Sequence, residues 1–87
     1  MTEKNTQAAQ TNTAPENAIR DRFGITVRQA RETLGWSQEV LADKASLNRS
    51  YLGEVERGIV MPSLATIAKL ATALGTNVSA LIARCEE

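Results

Sequence analysis

One stretch constrains the fold more than any other: residues 37–58, SQEVLADKASLNRSYLGEVERG. Leu41, Ala42 and Ala45 recur at helical spacing in its first half, Leu52 and Val55 in its second. Ser37 and Asn48 stand immediately ahead of these patterns, and both are residue types that cap helix N-termini. Leu47 lies between the halves and is expected to be buried in the turn. The stretch therefore predicts two short helices joined by a tight turn. Ala42 is small enough to let them cross closely. The residues left polar in the second helix, above all at its start, face outward together. A helix presented in this way can enter the major groove of DNA.

The flanking sequence supplies a body for this pair. From Ile19 onward, Phe23, Val27, Ala30 and Leu34 form one apolar stripe, and Gly35 ends that helix. Trp36 is expected to plug the helix junction. Gly58 stops the third helix, and Met61-Pro62-Ser63 is a loop closing on a cap. Leu64, Ile67, Leu70, Ala71 and Leu74 mark a fourth helix, ended by Gly75. Asn77 caps a short fifth helix carrying Val78, Leu81 and Ile82. No segment alternates with period two for long enough to predict a strand. Residues 1–18 are rich in Thr, Asn, Gln, Ala and Glu, without apolar periodicity, and read as a flexible polar tail. The expected organisation is that tail followed by one domain over 19–87.

Composition narrows the possible functions. The 87 residues suffice for one small domain, and three aromatics leave a core of Leu, Ile, Val and Ala. With no apolar run of membrane length and no signal-peptide segment, the expected location is the cytoplasm, away from membranes. The lone cysteine, Cys85, reads as a free thiol. Without histidine or a cysteine cluster, neither a metal nor another cofactor is expected. No nucleophile–base pair, carboxylate dyad or phosphate loop suggests an enzyme. The net charge is zero, and residues 20–57 hold seven basic side chains against six acidic ones. Charge balance thus gives no support to nucleic-acid binding, so any electrostatic footprint rests on the placement of a few arginines.

The order and spacing of several segments resemble the Cro and phage-repressor family of helix-turn-helix regulators, the xenobiotic-response-element family. Phe23-Gly24 with Val27 and Arg31 resembles its first helix, and Ser37-Gln38-Glu39 with Leu41-Ala42 its second. Arg49-Ser50-Tyr51-Leu52 and Val55-Glu56-Arg57-Gly58 resemble the third. Pro62-Ser63-Leu64 and Leu70-Ala71 through Leu74-Gly75 resemble the fourth. The resemblance covers about residues 22–84. It implies an all-α, five-helix, lambda-repressor-like DNA-binding domain. The turn departs from the family pattern, because Ser46 stands where glycine is usual. A left-handed serine there costs roughly 1 kcal/mol more than glycine.

By position, the resemblance makes Gln38 a phosphate ligand that also braces the third helix. It places Arg49 and Ser50 where family members read bases. Arginine there can pair with guanine O6 and N7, a contact worth about 1–3 kcal/mol of discrimination. Glu54, one turn on, can accept from a cytosine amino group, or pair instead with Arg49 or Arg57. Asn48 and Tyr51 are candidates for phosphate or thymine-methyl contact, with packing the alternative for Tyr51. Arg57 resembles a phosphate clamp. Arg31 and Glu56 correspond to a structural ion pair between the first and third helices. Gly53 lowers helix propensity, either to let the sugar-phosphate backbone approach or because it is merely tolerated.

Three or four side chains on one helix read too few base pairs for useful specificity. The expected binder is therefore a homodimer on a palindromic double-stranded operator, with Val78, Leu81 and Ile82 as the dimer face, capping of the monomer core being the alternative for them, and no small-molecule effector. Regulators of this size include phage repressors, antitoxins and restriction-modification controllers, and the third-helix segments look most like controllers. The competing reading is a protein-interaction module that keeps the bundle without binding DNA. Neutral charge favours it, whereas Gln38, Arg49 and Ser50 argue against it.

Overall fold

Four of the five helices begin in the same way, with a short polar side chain turned back on the first turn. The N–H groups of Val40, Tyr51, Thr66 and Ala80 donate to the side chains of Ser37, Asn48, Ser63 and Asn77. Each cap satisfies a donor that the helix itself leaves orphaned. In this computed structural model, which describes residues 15–86, the helices are α1 (Pro15–Thr33), α2 (Gln38–Lys44), α3 (Arg49–Glu56), α4 (Leu64–Ala73) and α5 (Val78–Cys85). No strand occurs among the described residues. The described part of α1 runs from Pro15, four residues before the apolar stripe, and a proline is compatible with a first helical turn. The first 14 residues of the expected tail lie outside the described residues.

The helices end as uniformly as they begin. After α1, the Trp36 N–H donates to the Arg31 carbonyl and the Gly35 N–H to that of Glu32, with Gly35 at φ +75°. The same two-bond ending closes α2, where the Leu47 N–H reaches the Ala42 carbonyl at 2.8 Å and the Ser46 N–H reaches that of Asp43 at 3.1 Å. It leaves Ser46 at φ +56°, the one non-glycine with positive φ among the described residues. The turn therefore keeps the backbone path that glycine favours and carries the strain of a Cβ in it.

The core is assembled from all five helices: Phe23 and Val27 of α1, Leu41 and Ala42 of α2, Leu52 and Val55 of α3, Ile67, Leu70 and Ala71 of α4, and Leu81 and Cys85 of α5. Each fully buried leucine contributes about 2 kcal/mol. The long α1 packs against α3 and α5, α2 against α3 and α4, and α4 against α5. Trp36 and Leu47 are half-buried and pack on this core, so Leu47 is less enclosed than its turn position suggested. The ammonium of Lys44 lies 5.0 Å from the Trp36 ring centroid, a cation–π contact across α2. Two stripe residues depart from expectation: Leu34 and Leu64 are exposed. Both sit at helix ends, where helical periodicity gives a direction but no neighbouring helix fills it. Cys85 is buried, its thiol donating to the Leu81 carbonyl, and burial pushes its pKa up.

One close crossing fixes how α3 sits on α1. A Cβ on Gly24 would come 2.5 Å from the Val55 carbonyl oxygen and 2.7 Å from that of Glu56. Both are backbone atoms and cannot swing aside. The C-terminal half of α3 therefore lies directly on α1 at a point where only glycine fits.

Candidate nucleic-acid interface

Helix α3 has eight residues, about 12 Å of axis, and an α-helix with its side chains, about 10–12 Å across, fits the roughly 12 Å width of the DNA major groove. At 100° per residue, Arg49, Ser50, Gly53, Glu54 and Arg57 share one arc of about 140°. Tyr51, Leu52, Val55 and Glu56 occupy the remainder, where Leu52, Val55 and Glu56 are buried and Tyr51 packs on the core. The sequence thus divides α3 into an inner face and an outer one.

The leading end of the outer face is open. Arg49 and Ser50 are exposed, and neither side chain makes a hydrogen bond or ion pair with another described residue. Asn48 is also exposed, but its Oδ1 is committed to capping α3, accepting from the Tyr51 N–H at 3.1 Å. Its amide nitrogen remains for an outside acceptor. Tyr51 is half-buried, consistent with packing more than with display. Glu54 is half-buried and forms no ion pair with Arg49 or Arg57.

The trailing end is tied down. The Arg31 guanidinium from α1 meets the Glu56 carboxylate in a two-pronged contact, Nε to Oε2 at 2.8 Å and Nη2 to Oε1 at 2.9 Å. The third prong of Arg31, Nη1, donates to the Trp36 carbonyl at 2.8 Å, and Gln38 Nε2 donates to Glu56 Oε1 at 3.0 Å. This network joins α1, the α1–α2 turn, the start of α2 and the end of α3. The side chains of Arg31 and Glu56 are only 11% and 3% exposed, so their charges depend on each other. The hydrogen bonds to Glu56 hold the Arg31 pKa above its ordinary value and outweigh the lowering effect of burial.

Beside this network runs a cleft of about 240 Å³ lined by Arg28, Arg31, Glu32, Gln38, Glu56 and Arg57. Arg28 pairs with Glu32 at 3.2 Å on the surface, while Arg57 has no partner among the described residues. Among the nominated DNA contacts, Arg49, Ser50 and Asn48 thus gather at one end of α3, and Gln38 and Arg57 at the other. The structure adds Gly24 and Arg28 to this neighbourhood. Gly24 carried a signal in the sequence, since glycine inside a helical stripe marks a close contact. Arg28 carried none.

On α5, Leu81 is fully enclosed in the subunit's own core and offers no area to a partner. Val78 and Ile82 are half-buried and keep part of their surface outside. Among the described residues no three metal-ligating side chains converge, and no single helix is long and apolar enough to cross a membrane.

Comparison with known proteins places this architecture. A family model described as helix-turn-helix matches residues 27–81. The chain is 40% identical over 77 residues to control protein C.BamHI of Bacillus amyloliquefaciens, covering 82% of this chain and 95% of that protein. It is 42% identical over 59 residues to the immunity repressor of Bacillus phage phi105, covering 68% of this chain but only 41% of the repressor. The crystal structure of the restriction-modification controller protein C.AhdI from Aeromonas hydrophila superposes with a TM-score of 0.71 at 47% identity. That superposition covers 74% of this chain and 97% of the controller. With a family match across most of its length and relatives that include repressors and control proteins, the chain belongs to the helix-turn-helix family of transcriptional regulators.

Proposed function

We propose that the chain is a sequence-specific DNA-binding transcriptional regulator that reads a palindromic operator as a homodimer, with α3 in the major groove. The observation that carries this reading is the asymmetry of α3: exposed Arg49 and Ser50, without side-chain partners among the described residues, lead, while Glu56 behind them is locked to Arg31 and Gln38. A helix held rigidly at one end and bare at the other suits insertion into a groove. Arg49 pairs with a guanine edge, Ser50 and Glu54 touch neighbouring bases, and Gln38, Asn48 and Arg57 hold phosphates, with Tyr51 at the margin. These few contacts require two copies for useful specificity, with half-sites about one helical turn apart. Val78 and Ile82 supply the dimer face, since Leu81 is already spent on the monomer core. Such a regulator acts in the cytoplasm and needs no catalytic group or small-molecule effector.

The pattern of coverage favours the controller type. The match to C.BamHI runs along 95% of that protein, and the match to C.AhdI along 97% of the controller at 47% identity. Gel-shift titration against fragments of the source genome, repeated across a salt series, tests the proposal. A discrete shift whose affinity falls steeply and log-linearly with salt supports it. The absence of any shift at low salt contradicts it and returns the bundle to the protein-interaction reading.

A further inference from the structure

Gly53 lies on the outward arc of α3 and is nevertheless buried, and its cover is the side chain of Arg57. A Cβ built on Gly53 would stand 3.1 Å from Arg57 Nη1 and 3.8 Å from Gln38 Oε1. The guanidinium therefore folds back along α3, across the glycine, to the side where Gln38 sits. With a side chain there, that path is tighter than ordinary van der Waals contact, and the guanidinium must give by a few tenths of an ångström. The Arg57 side chain forms no hydrogen bond or ion pair with another described residue, so its donors are open to an outside acceptor.

We infer that Gly53 is a positioning residue: by having no side chain, it seats the Arg57 guanidinium on the outer face of α3 beside Gln38, as a preformed clamp for one backbone phosphate. The inference rests on the DNA-binding reading and deepens it. A guanidinium already in place loses less conformational freedom on binding than one recruited from solvent. The seat also explains why a residue of poor helix propensity stands in the middle of an eight-residue helix.

The test is a double-substitution cycle on the full chain, using Gly53→Ala, Arg57→Ala and the pair, titrated by fluorescence anisotropy on the operator selected by the unaltered protein. Both neighbours of the added methyl group are tips of flexible side chains, so the fold tolerates Gly53→Ala, and thermal unfolding verifies it. Arg57→Ala is expected to weaken binding about tenfold and to reduce the magnitude of the log–log salt slope by about one, as for one lost phosphate contact. Gly53→Ala is expected to lose part of that affinity, about threefold, with a smaller salt slope than the unaltered protein, while raising the thermal midpoint. Adding it to Arg57→Ala should cost nothing more. Gly53→Ala with unchanged affinity and slope overturns the inference and leaves the DNA-binding reading standing. An equal loss in the Arg57→Ala background also overturns it, because the methyl group would then be clashing with DNA itself. An unaltered protein that shows no salt-dependent binding defeats both readings together.

Discussion

The two ends of α3 are built on opposite principles. At its trailing end, Glu56 is buried, bonded by Arg31 and Gln38, and pressed through its backbone against Gly24 of α1. At its leading end, the Arg49 and Ser50 side chains are exposed and have no partner among the described residues. Both ends are polar, so residue type alone does not separate them. What separates them is whether the molecule has already spent its hydrogen bonds. A polar group satisfied inside the subunit contributes to stability and geometry, whereas one left open can recognise something else.

Substitutions should separate the two ends by what they damage. The largest effect on stability is expected from Glu56→Ala, which strands the Arg31 guanidinium in a mostly buried site. The expected loss is about 3 kcal/mol in urea unfolding, at the lower edge for buried pairs because Arg31 keeps some contact with water. A loss below about 1 kcal/mol would mean that the network behaves like a surface pair and does not anchor α3. Gly24→Ala should follow, at about 2 kcal/mol, because the new methyl group meets carbonyl oxygens of α3 and must push the helices apart. That substitution should also lower DNA affinity by altering how far α3 projects. If it proves neutral or stabilising, the crossing is looser than its geometry indicates.

Ser46→Gly should have the smallest effect, and the opposite sign. Relief of the left-handed backbone is worth about 1–2 kcal/mol, and the extra freedom of glycine in the unfolded chain takes back roughly 0.5–1 kcal/mol. A net gain near 0.5 kcal/mol is expected, with DNA binding unchanged because the turn path is the same. Any change in affinity would mean that the serine hydroxyl itself takes part in recognition.

The sequence made some of this legible and left some hidden, for physical reasons. Caps are local: Ser37, Asn48, Ser63 and Asn77 each act on a residue three positions ahead, and each was visible as a polar residue before an apolar pattern or in a loop closing on one. The left-handed turn at Ser46 was suggested only by the family resemblance, since serine is not a residue type that marks positive φ. Core membership was visible wherever a stripe ran through the middle of a helix, as at Val27, Leu52 and Leu70. It failed at Leu34 and Leu64, where a correct direction points past the end of the neighbouring helices. The Arg31–Glu56 contact spans 25 positions, and no periodicity pairs such residues; only the family resemblance suggested it. Gly53 was ambiguous in the sequence because its meaning lies in the side chain folded over it.

The central claim is that the open end of α3 reads bases while the closed end only holds the helix in place. The most direct measurement is selection of bound sequences from a random DNA pool, carried out in parallel with the unaltered protein and with Arg49→Ala. The account predicts a two-fold symmetric consensus that the substitution relaxes at one position in each half, with folding stability held within about 0.5 kcal/mol. A consensus left unchanged by Arg49→Ala, in a protein that still binds, would contradict it.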